Sequence, residues 1–170
     1  MGFEAGIAIR RGDNYKDNDY LWTVCGWGKT DLVDTLICLL SDNKYYSTND
    51  LAMKEEKGAF DFEVEKLSFF RELRERLRSY TWGIYRNLQE LYSLELDDFA
   101  DEYFEGLSDA KKMGFYRQFY FEDVTKLNIA KSLLHDMSRD ESIFVIDSLA
   151  DAYNKLSKMD VDTAEFYISY

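Results

Sequence analysis

Proline is absent from this chain of 170 residues, histidine occurs once and cysteine twice. Two cysteines, Cys25 and Cys38, are too few to staple a domain of this size and fit a reducing compartment. With the single His135 they supply neither the spacing nor the four ligands of a zinc site, and they form no Cys-x-x-Cys redox pair. One histidine also leaves a nucleophilic triad little to work with, and His135, near a helix end, reads as a capping or surface residue. No apolar run approaches the ~20 residues of a membrane-spanning helix. The first residues lack the basic-then-apolar layout of a signal peptide, so a cytoplasmic setting is expected. Cations are short as well: 21 Lys and Arg stand against 33 Asp and Glu, a formal charge of −12. Gripping nucleic-acid phosphates needs the opposite balance, which argues against direct nucleic-acid binding.

What is present is apolar and aromatic. Apolar residues make up 46% of the chain and aromatics 16%, which excludes wholesale disorder. No Pro-rich linker, low-complexity stretch or internal repeat divides the sequence, so residues 1–170 read as a single domain.

Two runs at the start carry strand signals. Ile7 and Ile9 alternate, Tyr20-Leu-Trp-Thr-Val-Cys-Gly-Trp27 is β-branched and aromatic, and Gly12, Asp13, Asn14, Asp17, Asn18 and Asp19 between them supply turn chemistry. A β-hairpin is expected. From Thr30 the period becomes helical: Thr30 is placed to cap a helix Asp31–Leu40 that is apolar almost all round, hence buried. Residues 41–60 read as a polar connector. From Asp61 to Leu96 a heptad pattern runs through Phe70, Leu77, Ile84 and Leu91, with Leu73, Tyr80, Asn87 and Leu94 three residues after each. It predicts a long helix packed within the domain or, alternatively, a homodimer seam. Further helices are expected over Asp97–Leu107, Asp109–Met137 and Asp140–Met159. The last residues, Thr163–Tyr170, return to strand composition and can join the hairpin, because a lone two-stranded ribbon is marginal. The fold class is therefore α+β, mostly α: a helical bundle with a small antiparallel sheet.

Two strings resemble phosphate chemistry. Thr23-Val-Cys-Gly-Trp-Gly-Lys-Thr30 resembles the phosphate-binding loop of P-loop NTPases, where glycine amides cradle phosphates, the Lys neutralises them and the Thr binds magnesium. Thr23 stands where that motif has its first Gly, and no set of further parallel strands can be found to build the fold. Asp97-Asp-Phe-Ala-Asp101 has the DDxxD spacing and resembles the metal motifs of helical prenyl-diphosphate enzymes and, more loosely, helical nucleotide pyrophosphatases. No second such motif accompanies it. No catalytic residue, cofactor site or metal ligand is assigned.

The acidity is uneven. Residues 96–110 hold six acids and no base, residues 111–139 six bases and three acids, and residues 140–170 seven acids and two bases. On a helix, Asp98, Asp101, Glu102, Glu105 and Asp109 share a face at ~6 Å intervals along the axis, close to the phosphate interval of a nucleic-acid strand. Such a face can occupy the cationic groove of a nuclease or of a CRISPR or restriction component. The expectation is a non-enzymatic, nucleic-acid-mimicking inhibitor, in composition resembling toxin-neutralising immunity proteins and anti-CRISPR or anti-restriction proteins. Its partner-binding residues would be Asp97, Asp98, Asp101, Glu102, Tyr103, Glu105 and Asp109. Surplus aromatics near the hairpin, Tyr15, Tyr20, Trp22 and Trp27, offer a second contact surface. The alternatives are a magnesium-dependent nucleotide hydrolase and an oligomerising structural protein.

Overall fold

A computed structural model describes residues 2–9, 19–54, 58–79, 126, 129, 132–133 and 139–170. Strand β1 (Glu4–Ala8) pairs antiparallel with β2 (Tyr20–Cys25), so the expected hairpin strands are both present. The C-terminal segment forms β4 (Thr163–Ser169), which lies on the other side of β1. A further strand, β3 (Ala59–Glu63), then pairs with β4. The sheet order is β2-β1-β4-β3, and every pairing is antiparallel. The last strand of the chain is thus central, held between strands more than a hundred residues earlier.

β3 corrects the sequence reading at two points. Residues 41–60 are more than a polar connector, and Asp61 belongs to a strand, not to the start of the heptad helix. Phe60 and Phe62 face the core while Asp61 and Glu63 stay exposed, the period-two alternation of a half-buried strand. The chain then makes a 3-10 turn over Val64–Leu67 before helix begins.

Four described helices accompany the sheet: α1 (Thr30–Leu40), α2 (Thr48–Lys54), α3 (Ser68–Ser79) and α4 (Arg139–Lys158). The fold is α+β and mostly α, as the sequence indicates. None of the described helices is long and apolar enough to cross a membrane.

One sheet face is apolar because register puts like with like. Trp22, Ile7, Phe166 and Phe60 lie in one row across all four strands, and Val24, Ala5 and Ile168 in the next. Phe166 is fully buried, and its ring stacks on Phe60 with centroids 5.6 Å apart. Against this face α1 buries Leu32, Val33, Leu36, Ile37 and Leu40, α3 buries Phe69, Phe70 and Leu73, and α4 buries Val145, Ile146, Leu149, Ala150, Ala152 and Leu156 in the same core. Phe70 and Leu73, the first members of the heptad series, therefore pack inside this chain. Residues 80–96 of that series, and most of the helices expected over 97–137, lie outside the described residues. Within the latter, Lys126, Ile129, Ser132 and Leu133 are helical, and Ile129 and Leu133 enter the core.

Helix ends are tied by side chains. Ser47 caps α2 by accepting the Asp50 N–H at 3.0 Å, while Asp50 accepts the Tyr46 N–H at 3.2 Å. The Thr48 N–H, also at this helix start, donates to Asp34 of α1 at 2.6 Å. At the end of α1, Lys66 donates to the Leu40 carbonyl and pairs with Asp42, a cation where the helix dipole favours one. Between α3 and α4, Arg74 donates to Asp151 at 2.7 Å. The start of α1 departs from expectation: Thr30 does not cap it, and its hydroxyl donates to the Trp27 carbonyl. The chain enters α1 through a 3-10 turn, Trp27–Lys29, which leaves Thr30 already helical.

Candidate interaction surface

The second sheet face has a different chemistry. Alternation turns Glu4, Gly6 and Ala8 of β1 away from the core, along with Tyr20, Thr23 and Cys25 of β2. On β4 the residues so turned are Thr163, Glu165, Tyr167 and Ser169, and on β3 they are Ala59, Asp61 and Glu63. These thirteen positions carry four carboxylates, two tyrosines and no Lys or Arg; Gly6, Ala8 and Glu165 among them are buried, and Asp61 and Glu63 are exposed. Glu165 and Asp61 are direct cross-strand partners. Asp61 is exposed, whereas Glu165 is buried.

Its centre is a side-chain cluster. The Tyr167 hydroxyl donates to one Glu4 carboxylate oxygen at 3.1 Å, and the Cys25 thiol approaches the other at 3.8 Å. Tyr20 meets the Tyr167 ring edge-on at 5.6 Å. Burial, and then the neighbouring Glu4 charge, push the Tyr167 phenol well above its ordinary range. Gly6 makes room for this ring: a Cβ there would fall 2.5 Å from the Tyr167 hydroxyl oxygen and 2.6 Å from the Trp22 carbonyl oxygen. Only glycine fits between those two groups.

At one end of the sheet the aromatics regroup. After β2, Gly26 adopts φ 105 and donates its N–H to the Phe3 carbonyl at 3.0 Å. That left-handed turn brings Trp27 back over Phe3, with ring centroids 5.5 Å apart. Tyr170 closes the group, 5.9 Å from Phe3 and stacked on Trp27 at 5.8 Å. Phe3 is buried beneath, whereas Trp27 stays 60% exposed and Tyr170 45%.

The glycine-bearing turn has the strand before it and the helix after it that the sequence implied. Its Lys29, however, reaches Glu141 of α4 at 3.2 Å, and the sheet it leaves is antiparallel throughout. Among the described residues no group of three or more His, Cys, Asp or Glu side chains is arranged to hold a metal ion. No known protein family, no characterised protein and no solved structure matches this chain.

The acidic residues singled out in the sequence, Asp97, Asp98, Asp101, Glu102, Tyr103, Glu105 and Asp109, lie outside the described residues, as does His135. Of the hairpin aromatics, Trp22 is core, Trp27 and Tyr20 are exposed, and Tyr15 lies outside the described residues. Sequence reasoning missed Glu4, Asp61, Glu63, Glu165, Tyr167 and Tyr170. The signal for most of them is alternation: Asp61 and Glu63 interleave with Phe60, Phe62 and Val64, and Glu165 and Tyr167 interleave with Phe166 and Ile168.

Proposed function

We propose that this protein is a non-enzymatic binding protein that occupies a cationic surface of a basic partner, most simply a nucleic-acid-handling protein such as a nuclease or a CRISPR or restriction component. The observation that carries the reading is the composition of the second sheet face, whose exposed charges, Asp61 and Glu63, are both carboxylates and whose strand residues include no cation. Successive outward carboxylates on one strand, as at Asp61 and Glu63, stand ~7 Å apart, close to the spacing of backbone phosphates. The run of six acids in residues 96–110 adds to the same net charge of −12. Charge of this kind speeds association with a basic partner and is screened by salt. A cytoplasmic location accompanies the reading, since Cys25 and Cys38 are both free thiols.

The test is capture on immobilised protein from the host cell, with identification of what is retained at about 50 mM salt and released at about 500 mM. Retention of a basic nuclease or similar protein, and loss of its activity on adding the chain, is the expected result. Retention of acidic proteins only, or of a basic protein whose activity is untouched, contradicts the proposal.

A further inference from the structure

Strand β3 (Ala59–Glu63) is an edge of the sheet, and one side of its backbone is open. The Ile168 N–H donates to the Gly58 carbonyl at 2.8 Å, and the Val64 N–H donates to the Asp162 carbonyl at 2.9 Å. These two bonds fix the phase of the antiparallel ladder, in which alternate residues turn N–H and C=O towards the partner strand. Phe60 and Phe62 therefore bond to β4, opposite Phe166 and Ala164. Asp61 turns both its N–H and its C=O to the open side, and Glu63 turns its N–H there. Among the described residues nothing bonds to these groups, and the two carboxylates, both exposed, have no ion-pair partner.

Charge decides what can add to this edge. Side chains directly opposite across an antiparallel pair share a face, so a strand laid along β3 sets two alternate residues against Asp61 and Glu63. A second copy of this chain, pairing β3 with β3, would oppose carboxylate with carboxylate, and a nucleic-acid strand would bring phosphates; both are repelled. Lys or Arg at the two positions is attracted. The side chain between them turns to the other face, level with buried Phe62, where an apolar residue fits. Charge on an edge strand guards against aggregation, and here it leaves a cationic strand as the class admitted. The other edge, β2, makes no such choice: Tyr20–Cys25 holds no charged residue, and its ladder is irregular beside Ala8.

Resting on the inhibitor reading above, we infer that an extended segment of the basic partner adds to β3 as an antiparallel strand with the pattern cation, apolar, cation. Its cations face Glu63 and Asp61, and its backbone bonds to the open side of the same two residues, giving the four-stranded sheet a fifth strand. Backbone pairing supplies the fixed geometry that diffuse acidic charge lacks, and the alternate cations supply the selectivity.

The probe is the peptide acetyl-Lys-Val-Lys-Val-Thr-amide, titrated into isotopically labelled full chain. The expected result is a saturable shift of the Asp61 and Glu63 amide signals, with slowed hydrogen exchange at both. The Phe60 and Phe62 amides, already bonded to β4, should keep their exchange rates. Methylating the backbone nitrogens of both peptide lysines removes the donors that face β3 and should weaken binding about tenfold or more. Methylating those of the two valines, which point away, should not. Acetyl-Glu-Val-Glu-Val-Thr-amide should bind the native chain about tenfold more weakly, and Asp61→Lys/Glu63→Lys, shown to be folded by circular dichroism, should prefer it. Shifts without exchange protection, equal affinity of the two methylated peptides, or equal affinity of the Lys and Glu peptides for the native chain each overturns the inference. Failure of saturating Lys peptide to displace a captured basic partner would remove the edge from the inhibitor reading and leave that reading standing. Lys-peptide binding of this pattern with no basic partner captured would do the reverse.

Discussion

The Tyr167 hydroxyl donates to Glu4 at 3.1 Å across the β1–β4 pairing, joining residues 163 positions apart. The bond sits on the acidic sheet face, where the phenol is half-buried and its loss of a proton would set a second negative charge beside the carboxylate. Burial first, and Glu4 second, hold the Tyr167 phenol above its ordinary value of 10.0. The sign of the pH effect follows from this. A phenol raised in the folded state contributes stability below its unfolded pKa, and that contribution is lost as pH rises beyond about 10 and the unfolded chain sheds its proton first. Urea unfolding at pH 8 and pH 10.5 should show a larger fall for the native chain than for Tyr167→Phe. At pH 8 the Phe variant should be less stable by about 1 kcal/mol. An equal fall in both proteins would contradict the assignment.

Gly6 is the second point at which this cluster is exposed to test. A methyl group at this position meets the Tyr167 hydroxyl and, on the other side, the Trp22 carbonyl, which belongs to the backbone of β2 and cannot step aside. Gly6→Ala should therefore cost about 2–3 kcal/mol by overpacking. Trimming the ring in Gly6→Ala/Tyr167→Ala should recover only part of that cost, because the carbonyl remains. Full recovery in the double variant, read from denaturant midpoints, would show that the ring alone sets the fit.

Arg74 gives a test of the helix pair α3–α4. Its side chain is 11% exposed, its guanidinium pairs with the more exposed Asp151 at 2.7 Å, and its Nε is buried without a hydrogen-bond acceptor. Removing the acid leaves a mostly buried cation only the longer Glu75 contact, 3.8 Å from its Nε, whereas replacing the cation with an apolar chain of similar length leaves no charge buried. Asp151→Ala should lower stability by about 1–2 kcal/mol, discounted for the solvent on Asp151, and Arg74→Met by less. The opposite order in thermal unfolding would mean that the pair is a surface contact of no consequence.

Much of this architecture is readable from the residues. The apolar stripe Ile146, Leu149, Ala150 and Leu156 marks α4, and β-branched and aromatic runs mark β1, β2 and β4. β3 is harder because its alternation lasts only from Phe60 to Val64 and stands just ahead of the stronger heptad beginning at Phe70. Register is harder still. Glu4, Cys25 and Tyr167 become neighbours through β4 entering the sheet between β1 and β3, and no local pattern encodes that insertion. Trp27 stands out in the sequence as an aromatic in excess of the core's needs, but its stack on Tyr170 depends on the same long-range pairing.

Asp61 offers a single-residue test of the proposed function. It is exposed on β3, so Asp61→Asn should leave stability within about 0.5 kcal/mol of the native chain, read from urea midpoints. If the face binds a basic partner, the same substitution weakens that binding. A change neutral to stability that costs affinity marks a residue used for binding.

The central claim is that acidic charge on this chain holds a basic protein, and the most direct measurement is the affinity of the captured partner for charge-reversed variants. Two sets serve: Asp61→Lys with Glu63→Lys on the sheet face, and Asp98→Lys with Asp101→Lys and Glu105→Lys in the acidic segment. The account predicts that native binding weakens steeply between about 50 and 300 mM salt and that at least one set loses tenfold or more, about 1.4 kcal/mol. Affinity that is indifferent to salt and unchanged in both sets, with the variants folded, would contradict it.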